Sequence, residues 1–307
     1  MSTPTDYEPP ASATIKERQN DPDALRLLIA QRRLYRKAKR WLGLRWIGMV
    51  IIGIAAPVVA IAWPTSAVVA GAIAGSWLFI GRTLLLWAQG SLTARAASVQ
   101  EQFDFYVFQM PDSANRSTLP TLEDIADVAG PDDQIPATAA KEELIDWYPI
   151  NTKNTGAVAV AIAQRANASY TDRLLRTTAI VWAIATAGWT LALIVLSVVL
   201  DVSLSTFILG VTLPVLPAFL DVVQYVNGVW RSAADRRALA QSIEERLGGD
   251  DGPVEGQDLL VWQERLFELR RSAPEIPDFL YKLRRKVNER AMHTAANQLS
   301  RRAGGKD

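Results

Sequence analysis

The sequence predicts an all-α, polytopic membrane protein with four transmembrane helices in two hairpins and long cytosolic helical extensions. Three observations predict this fold class. The apolar residues are grouped in blocks, and no charged residue occurs in 47–63, 179–200 or 202–220. A helix of about 20 predominantly apolar residues crosses a hydrocarbon core of about 30 Å. Two very short turns separate the blocks, and basic residues gather at the opposite ends of the blocks.

The four spans follow from the blocks and from the turns between them. They are predicted at residues 44–63, 66–88, 178–200 and 202–223. Only Pro64 and Thr65 separate the first two spans, a connection so short that the two helices must be antiparallel. Asp201 occupies the equally short second turn. Almost no protein mass is therefore expected on the far side of the membrane.

The distribution of Lys and Arg predicts the orientation. Eight basic residues lie between positions 26 and 45, before or at the start of span one, and further arginines follow span two, precede span three and follow span four. Neither turn carries a basic residue. Because loops rich in Lys and Arg stay in the cytoplasm, both termini and the central loop are expected to be cytosolic.

Composition and charge divide the chain into five segments. They are a disordered leader rich in Pro, Ser and Thr (1–20), a basic cytosolic helix with the first hairpin (21–100), an acidic cytosolic insert (101–154), a cytosolic helix with the second hairpin and its extension (155–247), and C-terminal cytosolic helices (257–307). The helices that flank the insert are expected to form a long antiparallel pair.

The acidic insert contains two local signals. Thr121 with Asp124 resembles a helix-capping pair, and residues 141–147 are predicted to form a short helix. The acids of the insert either pair with the basic N-terminal helix or remain solvated and away from an anionic membrane surface. The sequence leaves both alternatives open.

The composition argues against common catalytic chemistry. The chain has no cysteine, which excludes disulfides, thiolate metal sites and cysteine nucleophiles. His293 is the only histidine, so a histidine-based metal site or triad within one chain is not expected. No phosphate-binding glycine loop and no serine nucleophile elbow is present. We therefore expect neither an enzyme nor a cofactor.

Four residues of the spans are candidates for a pore or gating role. Arg82 lies inside span two, where it either extends its charge toward the interface or takes part in gating. Pro214 and Pro217 are expected to bend or break span four because each removes a backbone hydrogen bond. Asp221 follows them on the same helix. Broken helices with trailing polar groups often line aqueous paths, and a kinked structural helix is the alternative.

Gly71 and Gly75 form a stripe of small residues along span two. Such a stripe allows two helices to approach closely. The sequence does not decide whether the second helix belongs to the same chain or to another copy.

Five cytosolic segments, taken in order around the two hairpins, resemble the SMODS-associating four-transmembrane effector family. They are RQNDP (18–22), AQRRLYRKAK (30–39), VQEQFD (99–104), DWYP (146–149) and QRAN (164–167). The resemblance covers residues 15–247. It implies an effector of a bacterial anti-phage system that senses a cyclic-oligonucleotide messenger made by a nucleotidyltransferase. It further implies that the effector breaches the inner membrane and kills the infected cell.

An anionic messenger requires cations, hydrogen-bond donors and aromatic planes for its bases. Eight residues predicted to be cytosolic supply this chemistry, namely Arg18, Asn20, Arg33, Tyr35, Trp147, Tyr148, Arg165 and Asn167. The alternative is that these groups hydrogen-bond to one another and hold the cytosolic helices together.

Three functions are compatible with the sequence. The first is a ligand-gated, membrane-disrupting effector that forms a homo-oligomer, because four spans in one chain barely enclose a wide pore. The second is a membrane-anchored signalling scaffold. The third is a small transporter, for which few intramembrane ionisable residues are available.

Overall fold

The computed structural model describes residues 7–111, 116–249 and 252–303. Of the described residues, 83% are helical, and no strand occurs among them. The helices are α1 (Ser12–Arg18), α2 (Pro22–Ala62), α3 (Ala67–Ile80), α4 (Leu86–Phe108), α5 (Leu122–Ala129), α6 (Ile135–Lys141), α7 (Gly156–Val199), α8 (Leu204–Thr206), α9 (Leu213–Gly248), α10 (Gly256–Arg271) and α11 (Asp278–Ala303). Short 3₁₀ turns occupy Pro64–Ser66 and Asp132–Gln134. Two π-helices join neighbouring α-helices: the first, Gly81–Leu85, joins α3 to α4, and the second, Phe207–Thr212, joins α8 to α9.

Four long helical rods are apolar enough to cross a membrane, as the sequence predicted. They cover Pro22–Val59, Val68–Phe108, Gly156–Val199 and Leu204–Gly248. The second hairpin turns at Asp201, whose backbone adopts a left-handed conformation with φ of 49°. Apolar side chains such as Val68, Ile184 and Val198 are exposed on the rods, which fits surfaces that face lipid. The all-α, four-span fold class is confirmed.

The polar ends of the rods pack with the shorter helices into an extramembrane domain. This domain contains α1, α5, α6, α10 and α11 together with the polar ends of α2, α4, α7 and α9. Its core includes the fully buried Phe103, Phe108, Leu28 and Ile162. The main helix pairs are α2 with α4 and α7 with α9. The expected direct pairing of the two helices that flank the insert is wrong, because α10 packs between α4 and α7 and contacts both.

The N-terminal segment is helical where the sequence predicted disorder. The leader was expected over 1–20, but Ser12–Arg18 forms α1. Residues 1–6 lie outside the described residues. The prediction failed because it weighed the Pro, Ser and Thr content and missed two apolar anchors. Ile15 and Tyr7 are both buried in the extramembrane core.

The chain before α1 runs between elements that are distant in sequence. The Tyr7 hydroxyl donates a hydrogen bond to the carbonyl oxygen of Phe108 at 2.7 Å. Gly256 lies against the backbone of Tyr7, and Gly156 lies against the backbone of Pro10. A Cβ at either glycine would overlap that backbone, so this path requires glycine at both positions.

The acidic insert packs against α2 through α5 and α6. The predicted cap is confirmed, since the Thr121 hydroxyl accepts a hydrogen bond from the Asp124 backbone at 3.2 Å. The helix predicted over 141–147 is wrong, because the helix ends at Lys141 and two following residues adopt positive φ. Of the two alternatives for the acids, the structure favours pairing with the basic helix. Arg26, Arg32, Arg33 and Arg36 of α2 form ion pairs with Asp132 or Glu142.

Candidate functional site

Two of the predicted pore or gating residues are in contact where the spans join the extramembrane domain. Asp221 is 1% exposed and accepts hydrogen bonds from Arg45 and from Arg82, whose Nε lies 3.2 Å from Oδ1. Arg82 also donates to Oε1 of Gln224 at 2.7 Å. A carboxylate is costly to bury unless a cation pairs with it. These four residues, the junction cluster, connect α2 and the first π-helix to α9.

The first π-helix orients Arg82 toward this cluster. A π-helix inserts an extra residue into a turn and rotates the side chains that follow, and such insertions are frequent at functional sites. Gly81, at its start, lies next to Arg45, and a Cβ there would be 3.6 Å from Cγ of Arg45. Arg82 therefore forms an ion pair and does more than extend its charge toward the interface.

The two prolines, Pro214 and Pro217, precede Asp221 of the junction cluster in α9. The expected break in span four takes the form of the second π-helix, which ends at Thr212, two residues before Pro214. The helix then continues through Pro217 without interruption. Both prolines line an apolar cavity of about 10 Å³, which holds one water molecule at most. In this arrangement the prolines border a small void among α2, α3 and α9, and the kinked structural helix is the better description.

An aromatic layer packs beside the junction cluster. The rings of Trp46 and Trp182 are stacked with centroids 4.3 Å apart, and Tyr225 contacts Trp46 edge-on at 5.2 Å. Ile276, from the segment between α10 and α11, packs against the same layer. The layer therefore joins α2, α7 and α9 to the C-terminal helices.

The segment 272–277, here called the linker, joins α10 to α11 and carries a buried carboxyl group. Thr93 donates a hydrogen bond to Oε1 of Glu275 at 2.7 Å, and the Tyr225 hydroxyl donates to the Glu275 carbonyl oxygen at 2.8 Å. Burial raises the pKa of the Glu275 carboxyl from 4.5 to about 7, although the hydrogen bond from Thr93 and the charge of Lys39 act in the opposite direction. The linker thus contacts α4 and α9 at the junction.

A second buried network lies deeper in the extramembrane domain, centred on Asp104. This carboxylate is fully buried and accepts hydrogen bonds from Tyr148 at 2.6 Å, from Gln263 at 2.7 Å and from Arg270 at 2.6 Å. Gln164 extends the network by donating to Gln263 at 3.1 Å. Burial, and then the Asp104 charge, raise the pKa of Tyr148 well above 10.0, so its hydroxyl remains a donor. The network ties α10 to α4 and α7.

Three of the predicted ligand residues meet near α1 and are engaged in structural contacts. Arg18 donates to the Tyr106 carbonyl oxygen at 2.9 Å, and its guanidinium lies 4.2 Å from the centre of that ring. Asn20 exchanges two hydrogen bonds with Asp146, at 3.0 and 2.9 Å. Tyr148 is buried in the Asp104 network. These contacts match the alternative in which the polar groups hold the helices together.

The other predicted ligand residues are spread over the domain. Arg33 donates to two carbonyl groups at the end of α5, and Tyr35 donates to Gln100 at 3.4 Å. Trp147 packs partly buried against the core. Arg165 forms an ion pair with Glu244 and lines a cleft beside α11. Asn167 lies on α7, half-buried. The eight residues therefore do not converge on one site.

Four residues that hold these clusters together were missed as site residues in the sequence. Asp104 and Arg270 pair across α4 and α10, and no local pattern indicates this contact. Arg45 appears in the sequence as one more basic residue before span one. Glu275 lies between two prolines in an apparently ordinary linker. The available signal was Asp104 itself, which lies between Phe103 and Phe105 in a largely apolar stretch of helix. A carboxylate buried in such a stretch is expected to have a cationic or hydrogen-bonding partner.

Cβ atoms built at Gly71 and Gly75 would meet open space in the part of the chain that the structure describes. No heavy atom of another part of the described chain lies within 4 Å of a Cβ built at either residue. This open space favours the alternative in which the second helix belongs to another copy, which stays a prediction.

No group of three or more His, Cys, Asp or Glu residues suited to a metal ion occurs in the described part of the chain.

Comparison with known proteins identifies a family. A family model described as the SMODS-associating 4TM effector domain matches residues 13–299, nearly the whole chain. Searches of curated proteins and of solved structures found no match.

Proposed function

The chain belongs to the SMODS-associating 4TM effector family, and we propose that it is a membrane-disrupting or pore-forming effector of bacterial anti-phage defence by abortive infection. The family and the four apolar helices support a membrane effector linked to SMODS-type signalling. In our proposal a cyclic-oligonucleotide messenger, made by a nucleotidyltransferase, binds the extramembrane domain and gates the spans. The effector itself catalyses no reaction.

We further propose that the protein lies in the bacterial inner membrane with both termini in the cytosol. The positive flanks of the spans support this orientation. It places the extramembrane domain in the compartment where the messenger is made, so that the ligand need not cross the bilayer.

The observation that carries the gating proposal is the junction cluster. The first hairpin supplies two arginines and the second supplies Asp221, so a shift between the hairpins would separate buried opposite charges. Breaking a buried ion pair costs about 3–5 kcal/mol. A messenger must therefore bind the open state about 10²–10⁴ times more tightly than the closed state to offset that cost.

Continuous helices provide the mechanical connection between the two regions. α7 and α9 run from the extramembrane domain into the spans without a break in helical structure. The linker contacts α4 and α9 on the extramembrane side of the junction cluster. A displacement of the C-terminal helices therefore acts on the helices that carry the buried charges.

A homo-oligomer completes the proposal. Gly75 is exposed and Gly71 partly exposed on span two, and a Cβ at either would meet open space among the described residues. A second copy can approach closely there.

A second candidate function, a signalling scaffold without pore activity, is favoured by one observation. Phe279, Leu283 and Val287 form an exposed apolar stripe at helical spacing on α11. Exposed apolar stripes of this kind serve as protein contact surfaces.

Dye uptake into cells tests the proposal. The chain is expressed with its nucleotidyltransferase or with a catalytically inactive form of that enzyme, and uptake of a membrane-impermeant dye is followed. We expect dye uptake only with the active enzyme. We expect Asp221→Asn to admit dye without the messenger, because Arg45 then lacks its buried partner. Asp201→Asn is the matched control, since it changes an exposed aspartate in the turn before the same span.

Folding defects are separated from gating by a second variant. The double variant Arg45→Met with Asp221→Leu removes the buried charge and should again exclude dye in the absence of messenger. Membrane insertion of each variant is measured in parallel. Messenger-dependent recruitment of a partner without dye uptake would reject the effector in favour of the scaffold.

A further inference from the structure

We propose that the cleft between α7 and α11 binds a phosphate group of a nucleotide ligand, with Arg173 and Asn288 as the recognising residues. This inference rests on the messenger-gated function proposed above and assigns the ligand a position. The cleft is distinct from the Asp104 network and from the junction cluster.

The cleft is lined by cationic and hydrogen-bonding groups on α7 and by one amide on α11. The residues that line it with polar side chains are Arg165, Ser169, Tyr170, Arg173 and Asn288. No carboxylate is among the residues that line it. Arginine, hydroxyl and amide donors are the groups that bind phosphate oxygens in proteins.

The two arginines of the cleft have different roles. Arg165 is neutralised by Glu244, with its Nε 2.7 Å from Oε1. Arg173 is exposed and forms no ion pair with any residue in the described ranges. Arg173 therefore supplies the uncompensated positive charge. Arg165, whose ion pair with Glu244 fixes its side chain, forms one wall of the cleft. One free cation suits a phosphodiester, which carries one negative charge.

Asn288 is the strongest indication of a missing partner. Its side chain is 2% exposed, and its Nδ2 donates to no acceptor in the part of the chain that the structure describes. Leaving a buried amide without a partner is destabilising, so Asn288 has an unused donor at the cleft. A phosphate oxygen in the cleft would accept this hydrogen bond.

The size of the cleft limits what enters it in the present arrangement. Its volume is about 50 Å³, which corresponds to about four water molecules. One phosphate group fits this space, but a base and a ribose do not. The remainder of a cyclic nucleotide must lie over the rim or displace α11.

A displacement of α11 would be transmitted to the region where the spans join the extramembrane domain. α11 packs against α7 and α9 and follows the linker that carries Glu275. Lys39 of α2 also holds the start of α11 through an ion pair with Asp278 at 2.8 Å. A ligand that moves α11 therefore acts on the linker, which contacts α4 and α9 beside the aromatic layer.

Direct binding to the purified full-length protein in detergent tests this assignment. The probes are cyclic di-AMP, cyclic di-GMP, cyclic GMP-AMP, cyclic tri-AMP and the products of the co-expressed nucleotidyltransferase, with inorganic phosphate as a separate arm. We expect Arg173→Ala and Asn288→Leu each to weaken nucleotide binding about tenfold or more. Arg290→Ala, which changes an exposed arginine of α11 outside the cleft, is the control and should bind normally.

Thermal unfolding provides a second readout that a purely structural role would not produce. Asn288→Leu removes an unpaired buried amide and has the cleft beside it for the larger side chain, so the ligand-free variant should unfold at or above the temperature of the parent. Unchanged binding by both variants would overturn the assignment and leave the proposed function intact. Failure of every nucleotide to bind the parent protein, including a result in which inorganic phosphate alone binds, would overturn both.

Discussion

Substitution of Glu275 by Gln is expected to change how the stability of the protein depends on pH. In the folded state the pKa of Glu275 is about 7, against 4.5 for a solvated glutamate, and burial is the main cause. Between these values the folded chain retains a proton that the unfolded chain releases. The contribution to stability is therefore complete below pH 4.5 and is lost as the pH rises from 4.5 to 7.

The size of the effect follows from the two pKa values. The difference between 4.5 and about 7 corresponds to a loss of about 3 kcal/mol of folding free energy over that range. Glutamine stays neutral, and its side-chain oxygen still accepts the hydrogen bond from Thr93. The variant should therefore lose the Glu275 contribution to the pH dependence and gain stability relative to the parent as the pH rises from 5 to 8.

Thermal unfolding in detergent at pH 5, 6, 7 and 8 measures this difference. We expect the unfolding temperature of Glu275→Gln, relative to the parent, to rise by several degrees between pH 5 and pH 8. Glu17→Gln, at an exposed position of α1, is the control and should follow the parent. Parallel pH profiles for the parent and Glu275→Gln would refute the burial argument.

Three further substitutions test other parts of the structure. Arg270→Met leaves the buried Asp104 carboxylate without its cation and should lower the free energy of unfolding by about 3–5 kcal/mol. Asp104→Leu in the double variant should restore only part of this, because Tyr148 and Gln263 then lose their acceptor. Gly48→Ala places a methyl group against the Trp77 ring and should cost about 1–3 kcal/mol, measured by chemical denaturation in detergent. Gly75→Leu should reduce the oligomer size in light scattering without destabilising the monomer, because a Cβ there meets open space among the described residues.

Neighbouring positions provide controls for these three changes. Arg271→Met alters an exposed arginine beside the buried one and should have little effect on stability. Gly43→Ala meets open space and should be neutral or stabilising. An unchanged oligomer size for Gly75→Leu would remove the small-residue stripe from the assembly proposal, and equal costs for Gly48→Ala and Gly43→Ala would contradict the packing of Trp77.

The spans and their turns could be predicted from the sequence because both depend on local composition. An apolar block of about 20 residues has one stable form in lipid, a helix, and the tight turns leave no other topology. The cap at Thr121 was equally local. The helix predicted over 141–147 failed because a short periodic pattern does not reveal where the backbone leaves the helical region, here at Glu143 and Asp146.

The polar clusters could be predicted only in part, because their contacts join residues far apart in the chain. Arg82 and Asp221 were recognised as costly in the membrane, but their pairing across 139 residues was not visible in either local segment. Glu275 and Thr93 are separated by 182 residues. Periodicity and propensity describe one helix at a time, whereas these sites arise from the way several helices pack.

The path of the N-terminal segment has a consequence for biosynthesis. Tyr7 leaves the ribosome early, yet it packs against Gly256, which is made about 250 residues later. At about 5–20 residues per second this corresponds to roughly 12–50 s of translation. All four spans emerge before then, so the bilayer receives its helices first. The segment around Tyr7 therefore reaches its place only after Gly256 has been made.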